Sequence, residues 1–173
     1  MFIIAGMAPR IRDATPRDWP AIWPTVREVV RAADTFTYDP HLTEDEARAL
    51  WMVDPPGRTV VAVDGVAVLG TANMYANRGG PGAHVASASF MVAAAARGHG
   101  VGRALVEDAL CWARAAGFRA MQFNAVAETN TGAVALYRSL GFSIVGTVPE
   151  GFDHPRLGLV GLHVMHRPLC ESG

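Results

Sequence analysis

A glycine-rich loop joins an apolar segment of this chain to an amphipathic one. The loop runs from Arg97 to Arg103, with glycine at positions 98, 100 and 102. It follows an apolar run that ends at Val92. Glycines let a backbone approach a ligand closely, and the amides of a first helical turn face outward at the positive end of the helix dipole. This segment, called the glycine loop below, predicts a cradle for a diphosphate.

Two common phosphate-binding loops do not fit this sequence. A dinucleotide-binding loop needs a third glycine three positions after the second and an acid about 20 positions later. Arg103 takes the place of that glycine, and the next strand, 121–123, has no acid. A nucleoside-triphosphate loop needs a Gly-Lys pair, and the chain has no lysine. The pattern that remains is Arg-x-x-Gly-x-Gly, and its structural alternative is an ordinary strand-to-helix turn.

A second block of sequence lies about one helix and one strand further on. Residues 130–142 read Asn-Thr-Gly-Ala-Val-Ala-Leu-Tyr-Arg-Ser-Leu-Gly-Phe. With the Arg-x-x-Gly-x-Gly loop, this block resembles the two signatures of the GCN5-related N-acetyltransferase (GNAT) superfamily, in its branch acting on small amines and amino acids. The resemblance extends over residues 10–168.

The resemblance implies one domain over residues 10–168, with flexible termini at 1–9 and 169–173. The implied fold is a mixed α+β fold with a central, mostly antiparallel twisted sheet and about four helices. Hydrophobic spacing and turn signals predict strands at 10–14, 59–63, 66–72, 85–92, 121–126, 142–148 and 159–167. They predict helices at 16–33, 43–51, 101–115 and 130–141, with a loop over 151–156.

The resemblance also implies acetyl-CoA as the acyl donor. The residues expected at the donor are Met91, Val92, Arg97, Gly98, His99, Gly100, Val101, Gly102, Arg103, Asn130 and Tyr137. The backbone amide of Val92 is expected to stabilise the charge that develops on the thioester oxygen. Tyr137 corresponds to the family's general acid, and packing against the coenzyme arm is its structural alternative. Asn130 could equally cap a helix.

The acceptor side is expected to include Phe36 and Tyr38, from an aromatic loop after the first helix, with Ser87 and Asn124. Related enzymes often carry Glu on the strand before the glycine loop, about where this chain has Ser87. Deprotonation of the amine is therefore expected through water held by Ser87, Ser89 or Asn124, or by bulk solvent. The resemblance of Asn124 to an acceptor-positioning Asn makes it the third catalytic candidate.

Composition excludes several other classes. Half of the 173 residues are hydrophobic and the net charge is −1, so neither disorder nor nucleic-acid binding is indicated. No run approaches membrane-spanning length, and two distant cysteines suit reduced thiols in a bacterial cytoplasm. His163 and His166 would face opposite sides of a strand, so no metal site is expected. The apolar last strands would allow a homodimer.

Three functions follow as hypotheses. The first is an N-acetyltransferase in which the amine of a small molecule, amino acid or amino-acid analogue attacks acetyl-CoA directly in a ternary complex. The second is a protein or peptide N-acetyltransferase, which needs an open groove. The third is a non-catalytic acyl-CoA sensor that keeps the cradle without a base.

Overall fold

The described part of the chain, residues 9–169 of a computed structural model, folds around one seven-stranded sheet. The strands are β1 (Arg10–Asp13), β2 (Arg58–Asp64), β3 (Ala67–Ala76), β4 (Val85–Val92), β5 (Ala120–Ala127), β6 (Ser143–His154) and β7 (Gly158–Pro168). Their order is β1-β2-β3-β4-β5-β7-β6. Only the β4–β5 pair among these described strands is parallel. The predicted mixed α+β, mostly antiparallel architecture is confirmed.

Helices cover both faces of the sheet. Within residues 9–169 the α-helices are α1 (Trp19–Ala32), α2 (Glu44–Trp51), α3 (Val101–Ala115) and α4 (Thr131–Ser139). In β2, Val61 packs with α1 and α2, whereas Val60 packs in the cluster that contains Leu105 of α3. A strand covered on both faces carries a continuous apolar run, which explains the sequence Val60–Val63. None of the helices in this part of the chain is both long and apolar enough to cross a membrane.

Local sequence signals account for several element ends. Thr43 and Glu46 form a capping box at the start of α2, which satisfies amides that the helix itself cannot bond. Asn130 caps α4 by accepting a hydrogen bond from the amide of Ala133 at 3.3 Å. Gly65 turns the β2–β3 hairpin with a φ of 56°, a conformation that glycine adopts without strain.

Three boundaries differ from the prediction. β3 continues to Ala76, and β6 continues to His154, through most of the loop expected at 151–156. The β6–β7 register shifts between Val148 and Phe152, and such a bulge interrupts the hydrophobic alternation that marks a strand. Leu169, expected in the flexible terminus, is 8% exposed and belongs to the core. The other residues of the predicted termini, apart from residue 9, lie outside the described range.

Candidate active site

The site begins where two central strands separate. β4 and β5 pair only at Val85 with Ala120 and at Ala86 with Met121. Further along, Val92 lies opposite Gly70 of β3. The next amide, that of Ala93, donates to the carbonyl of Leu69 at 2.9 Å. Because successive residues of a strand direct their amides to opposite sides, the amide of Val92 points away from β3, toward the gap beside β5.

A cavity of about 340 Å³, called the chamber below, lies at this gap. Phe36 and Tyr38 line it from the loop between α1 and α2, Ser87 from β4 and Asn124 from β5. Tyr137 of α4 lines the same space. The structure thus brings together the four residues expected at the acceptor and the expected general acid.

A second cavity of about 630 Å³, called the channel, runs along the glycine loop. Its lining includes, among the residues expected at the donor, Met91, Val92, Arg97, Gly98, Gly100, Val101, Gly102, Arg103 and Asn130. Two other residues expected there lie outside this lining: His99, which is exposed, and Tyr137, which lines the chamber. A side chain in an exposed loop can turn toward solvent, and the motif does not determine which way it points.

The glycine loop has the geometry of an anion cradle. Gly98 and Gly100 both have a φ of 79°, and a Cβ added to either would meet no atom within 4 Å. Gly100 immediately precedes α3, so the free amides of the first helical turn open onto the channel. This arrangement fits a diphosphate.

Two arginines flank the cradle. A guanidinium nitrogen of Arg97 lies 3.7 Å from a carboxylate oxygen of Glu28 on α1. Arg103 donates to the hydroxyl of Ser139 at 2.8 Å. Arg103 also lies 3.5 Å from a carboxylate oxygen of Glu107. Both guanidinium groups border the channel, where their N–H groups can donate to an anionic ligand.

The chamber and the channel meet. Val92, Gly102, Asn130 and Leu136 line both cavities. A Cβ added to Gly102 would lie 3.6 Å from Cδ2 of Leu136 and 3.8 Å from Cγ2 of Val92. A ligand passing along the channel would therefore reach the chamber beside the amide of Val92.

Tyr137 is held by a cluster of aromatic rings. Its ring centroid lies 4.6 Å from that of Phe123, 6.0 Å from Phe142 and 6.2 Å from Phe90. Burial raises the pKa of its phenol above the ordinary value, because desolvation disfavours the charged form. The phenol is thus a protonated donor at neutral pH.

The other polar groups of the chamber are hydroxyls and amides. Burial, with a smaller contribution from Tyr75, raises the pKa of the Tyr38 phenol, and a hydrogen bond with Ser89 opposes that rise. The side-chain amide of Asn124 donates to that of Asn77 at 2.6 Å and accepts from Gln122 at 2.8 Å. The side-chain amide of Asn77 also donates to Oδ1 of Asn124 at 3.3 Å, so the two amides are doubly bonded to each other.

Sequence reasoning missed Tyr75, Thr35 and Thr37, which also line the chamber. Tyr75 lies directly opposite Ser87 in the β3–β4 ladder, so both side chains share one face of the sheet. The alternation of polar and apolar residues in Asn73-Met74-Tyr75 and Ser87-Ala88-Ser89 was the signal that could have indicated this polar stripe.

Comparison with known proteins assigns the family. Residues 15–142 match the acetyltransferase (GNAT) family. The chain belongs to this family. It is therefore an acetyl-CoA-dependent N-acetyltransferase, which argues against the sensor hypothesis.

Solved structures support this assignment. A GCN5-related N-acetyltransferase from Kribbella flavida is 65% identical, with a TM-score of 0.90 over 93% of this chain and 98% of that one. A phosphinothricin acetyltransferase from Sinorhizobium meliloti, in complex with acetyl-CoA, is 28% identical, with a TM-score of 0.85 over 95% and 90%.

A partial relative is Protein SPT10 of Saccharomyces cerevisiae. It is 36% identical over an alignment of 81 residues that covers 44% of this chain. The match spans only 13% of the length of that protein.

Proposed function

We propose that this GNAT enzyme acetylates the amine of a small molecule, which occupies the chamber while acetyl-CoA occupies the channel. The single observation that carries the proposal is the meeting of the two cavities at Val92 and Gly102. An amine in the chamber could attack an acyl group at that junction without a covalent enzyme intermediate. Cys111, the one cysteine in residues 9–169, is exposed on α3 and lines neither cavity.

The size of the chamber favours a small acceptor over a protein. Its volume of about 340 Å³ is at the lower end of the roughly 300–1,000 Å³ typical of small-molecule pockets. The similarity to a phosphinothricin acetyltransferase, an enzyme named for a small substrate, supports the same acceptor class.

In the proposed mechanism, acetyl-CoA supplies an activated acyl group as a thioester. The outward amides of the glycine loop, with Arg97 and Arg103, hold the diphosphate of the donor. The amide of Val92 donates a hydrogen bond to the thioester oxygen as negative charge develops there, and a fixed donor is most effective in that role.

Proton transfers complete the proposed reaction. The amine nitrogen forms its bond to the acyl carbon as the carbon–sulfur bond breaks. The phenol of Tyr137 gives its proton to the departing sulfur and recovers one from solvent. The proton lost by the nitrogen passes to water held by the hydroxyls of Ser87 and Ser89.

Release of free thiol from acetyl-CoA tests the proposal. The purified chain would be mixed with acetyl-CoA and, separately, with pools of small primary amines, of amino acids and of peptides with free N-termini. Thiol release that depends on a small amine or amino acid, with the acetylated product seen by mass spectrometry, is the expected result. Turnover with peptides only would overturn the small-molecule assignment in favour of the peptide hypothesis.

A further inference from the structure

The chamber has an unusual charge balance. Among the described residues that line it, the ionisable groups are three phenols, those of Tyr38, Tyr75 and Tyr137. Glu28 and Asp34 line the channel instead, and the carboxylate of Glu128, which follows Ala127 of the chamber wall, accepts from the amide of Gly161 at 2.6 Å. The chamber therefore offers no carboxylate to an ammonium group.

This absence bears on the protonation state of the acceptor. An alkyl amine with a pKa of about 10.4 is neutral in roughly one molecule in 2,500 at about pH 7. A cation in a desolvated site is unfavourable without a paired charge. A site without a carboxylate thus selects an amine that is already neutral in solution.

The arginines near the site are placed unfavourably for an acceptor carboxylate. Arg97 and Arg103 line the channel, where they face Glu28 and Ser139. Arg78 follows β3, outside the lining of the chamber, and donates to the backbone carbonyl of Asn77 at 2.9 Å. An amino acid would bring a negative charge into the chamber without a cationic partner there.

Aromatic rings form two parts of the chamber wall. On the side of the α1–α2 loop, Phe36 and Tyr38 have ring centroids 5.6 Å apart. On the side of the sheet and α4, Phe90 packs edge-to-face on Phe123 at 5.7 Å, beside Tyr137. Aromatic faces favour stacked or edge-on contact with another ring.

The β4 backbone supplies the remaining hydrogen-bonding groups. Because Val92 directs its amide to the gap, Phe90 and Ala88 direct their backbone groups to the same side. The carbonyl oxygens can accept from a neutral N–H, as can the hydroxyls of Ser87 and Ser89. The chamber therefore offers hydrogen-bond acceptors to the N–H groups of an uncharged amine.

We propose that the acceptor is a weakly basic amine attached to a flat aromatic ring that carries no carboxylate, the chemical class of arylamines. This inference rests on the proposed small-molecule function and narrows it. The arylamine enters neutral, so its nitrogen attacks without prior loss of a proton. After the N–C bond forms, the nitrogen is strongly acidic and releases its proton to water, while Tyr137 protonates the departing sulfur.

The test compares three acceptors that share one ring. Aniline is neutral near pH 7, benzylamine is a cation, and phenylalanine carries both an ammonium and a carboxylate. With saturating acetyl-CoA, we expect kcat/KM for aniline to exceed that for benzylamine by about 100-fold near neutral pH. The value for benzylamine should rise about tenfold per pH unit, whereas that for aniline should stay flat.

A pair of variants tests whether charge decides this preference. Ser87→Glu places a carboxylate in the chamber and should raise benzylamine turnover relative to aniline by about tenfold or more. Ser87→Gln has the same size without the charge and should leave the ratio near that of the wild type. Equal ratios in the Glu and Gln variants would overturn the inference. Thermal unfolding identifies a variant that does not fold. In that case, kcat/KM of the wild type for aniline, benzylamine and phenylalanine tests the inference.

The failures of the two proposals are distinguishable. Preference for phenylalanine or other amino acids, especially if Arg78→Ala abolished it, would overturn the arylamine inference but keep the small-molecule function. Equal turnover of benzylamine and aniline near neutral pH would do the same. Turnover with peptides only would overturn both.

Discussion

Val92 of β4 and Gly70 of β3 lie opposite each other as a pair without backbone hydrogen bonds between them. The adjacent residues bond instead, with the amide of Ala93 donating to the carbonyl of Leu69. This register turns the amide of Val92 toward the gap between β4 and β5. Since both cavities reach Val92, one amide faces the place where donor and acceptor would meet. Acyl transfer at the junction of the two cavities depends on this placement.

Tyr137→Phe should slow chemistry without weakening donor binding. The ring would keep its contacts with Phe123 and Phe142, so the thermal midpoint should not change. Loss of the proton donor should reduce the single-turnover rate by about 100-fold, while the Kd for acetyl-CoA stays near that of the wild type. If Kd rose and the single-turnover rate did not fall, Tyr137 would be a packing residue.

The pH profile gives a second check on Tyr137. Because burial raises the pKa of its phenol, the proton donor stays protonated throughout the neutral and mildly alkaline range. No loss of kcat assigned to Tyr137 should therefore appear below its ordinary pKa of about 10. A decline in kcat at lower pH that is present in the wild type and absent from the Phe variant would contradict this.

Gly102→Ala should weaken acetyl-CoA binding without lowering the free energy of unfolding. Alanine is favoured over glycine in a helix by about 1 kcal/mol, and the added Cβ would make only ordinary contacts with Leu136 and Val92. The free energy of unfolding should therefore stay the same or rise. The same methyl group narrows the junction of the cavities, so the Kd for acetyl-CoA should increase several-fold. Calorimetric titration with unchanged affinity would show that the donor does not pass Gly102.

Gly100→Ala should affect the cradle through the backbone. A φ of 79° costs an L-residue about 1–2 kcal/mol, so the loop should lose stability and its amides should lose their alignment. We expect weaker acetyl-CoA binding and a lower thermal midpoint. Gly146→Ala is the matched control, because its Cβ meets nothing within 4 Å and its φ is not positive. Equal effects in the two variants would exclude a special role for the loop conformation.

Asp18→Asn should reveal an ion pair that fixes the start of α1. Arg12 donates to both carboxylate oxygens of Asp18, at 2.6 and 2.9 Å, and this bonding holds the pKa of Asp18 well below its usual range. Because this pKa is lowered, the ionised carboxylate stabilises the fold at pH values above the ordinary Asp pKa of about 3.9. This stabilisation is lost as the pH falls toward the pKa of the folded state. We expect the variant to lose about 1–2 kcal/mol at neutral pH.

Chemical denaturation across a pH series checks this expectation. The difference between wild type and Asp18→Asn should shrink as pH falls below about 4. Glu107→Gln, which removes an exposed pair with Arg103 at 3.5 Å, should change stability little at any pH. A difference for Asp18→Asn that stayed constant with pH would exclude the charge as its cause.

The sequence predicted those parts of the molecule that depend on neighbours along the chain. The bounds of β4, the turn at Gly65 and the cap at Asn130 all follow from local spacing or turn chemistry. The grouping of Phe36, Tyr38, Ser87, Asn124 and Tyr137 came from the family resemblance.

Other features depend on contacts between distant segments. The position of Tyr75 in the chamber needs the β3–β4 register. The continuation of β6 through its bulge depends on pairing with β7. Residues 149–151, which are Pro-Glu-Gly, are typical of a turn and gave no strand signal. The glycine motif does not determine the orientation of the His99 side chain, so its exposure could not be predicted from the sequence.

Initial-rate kinetics with both substrates varied test whether the acyl group is transferred directly from donor to acceptor at the junction of the chamber and the channel. The rate of thiol release would be measured over a matrix of acetyl-CoA and acceptor concentrations, with aniline or the best acceptor found. Direct transfer in a ternary complex predicts double-reciprocal lines that intersect, with no acetylated enzyme detected by mass spectrometry. Parallel lines with an acetyl group on the protein would contradict it.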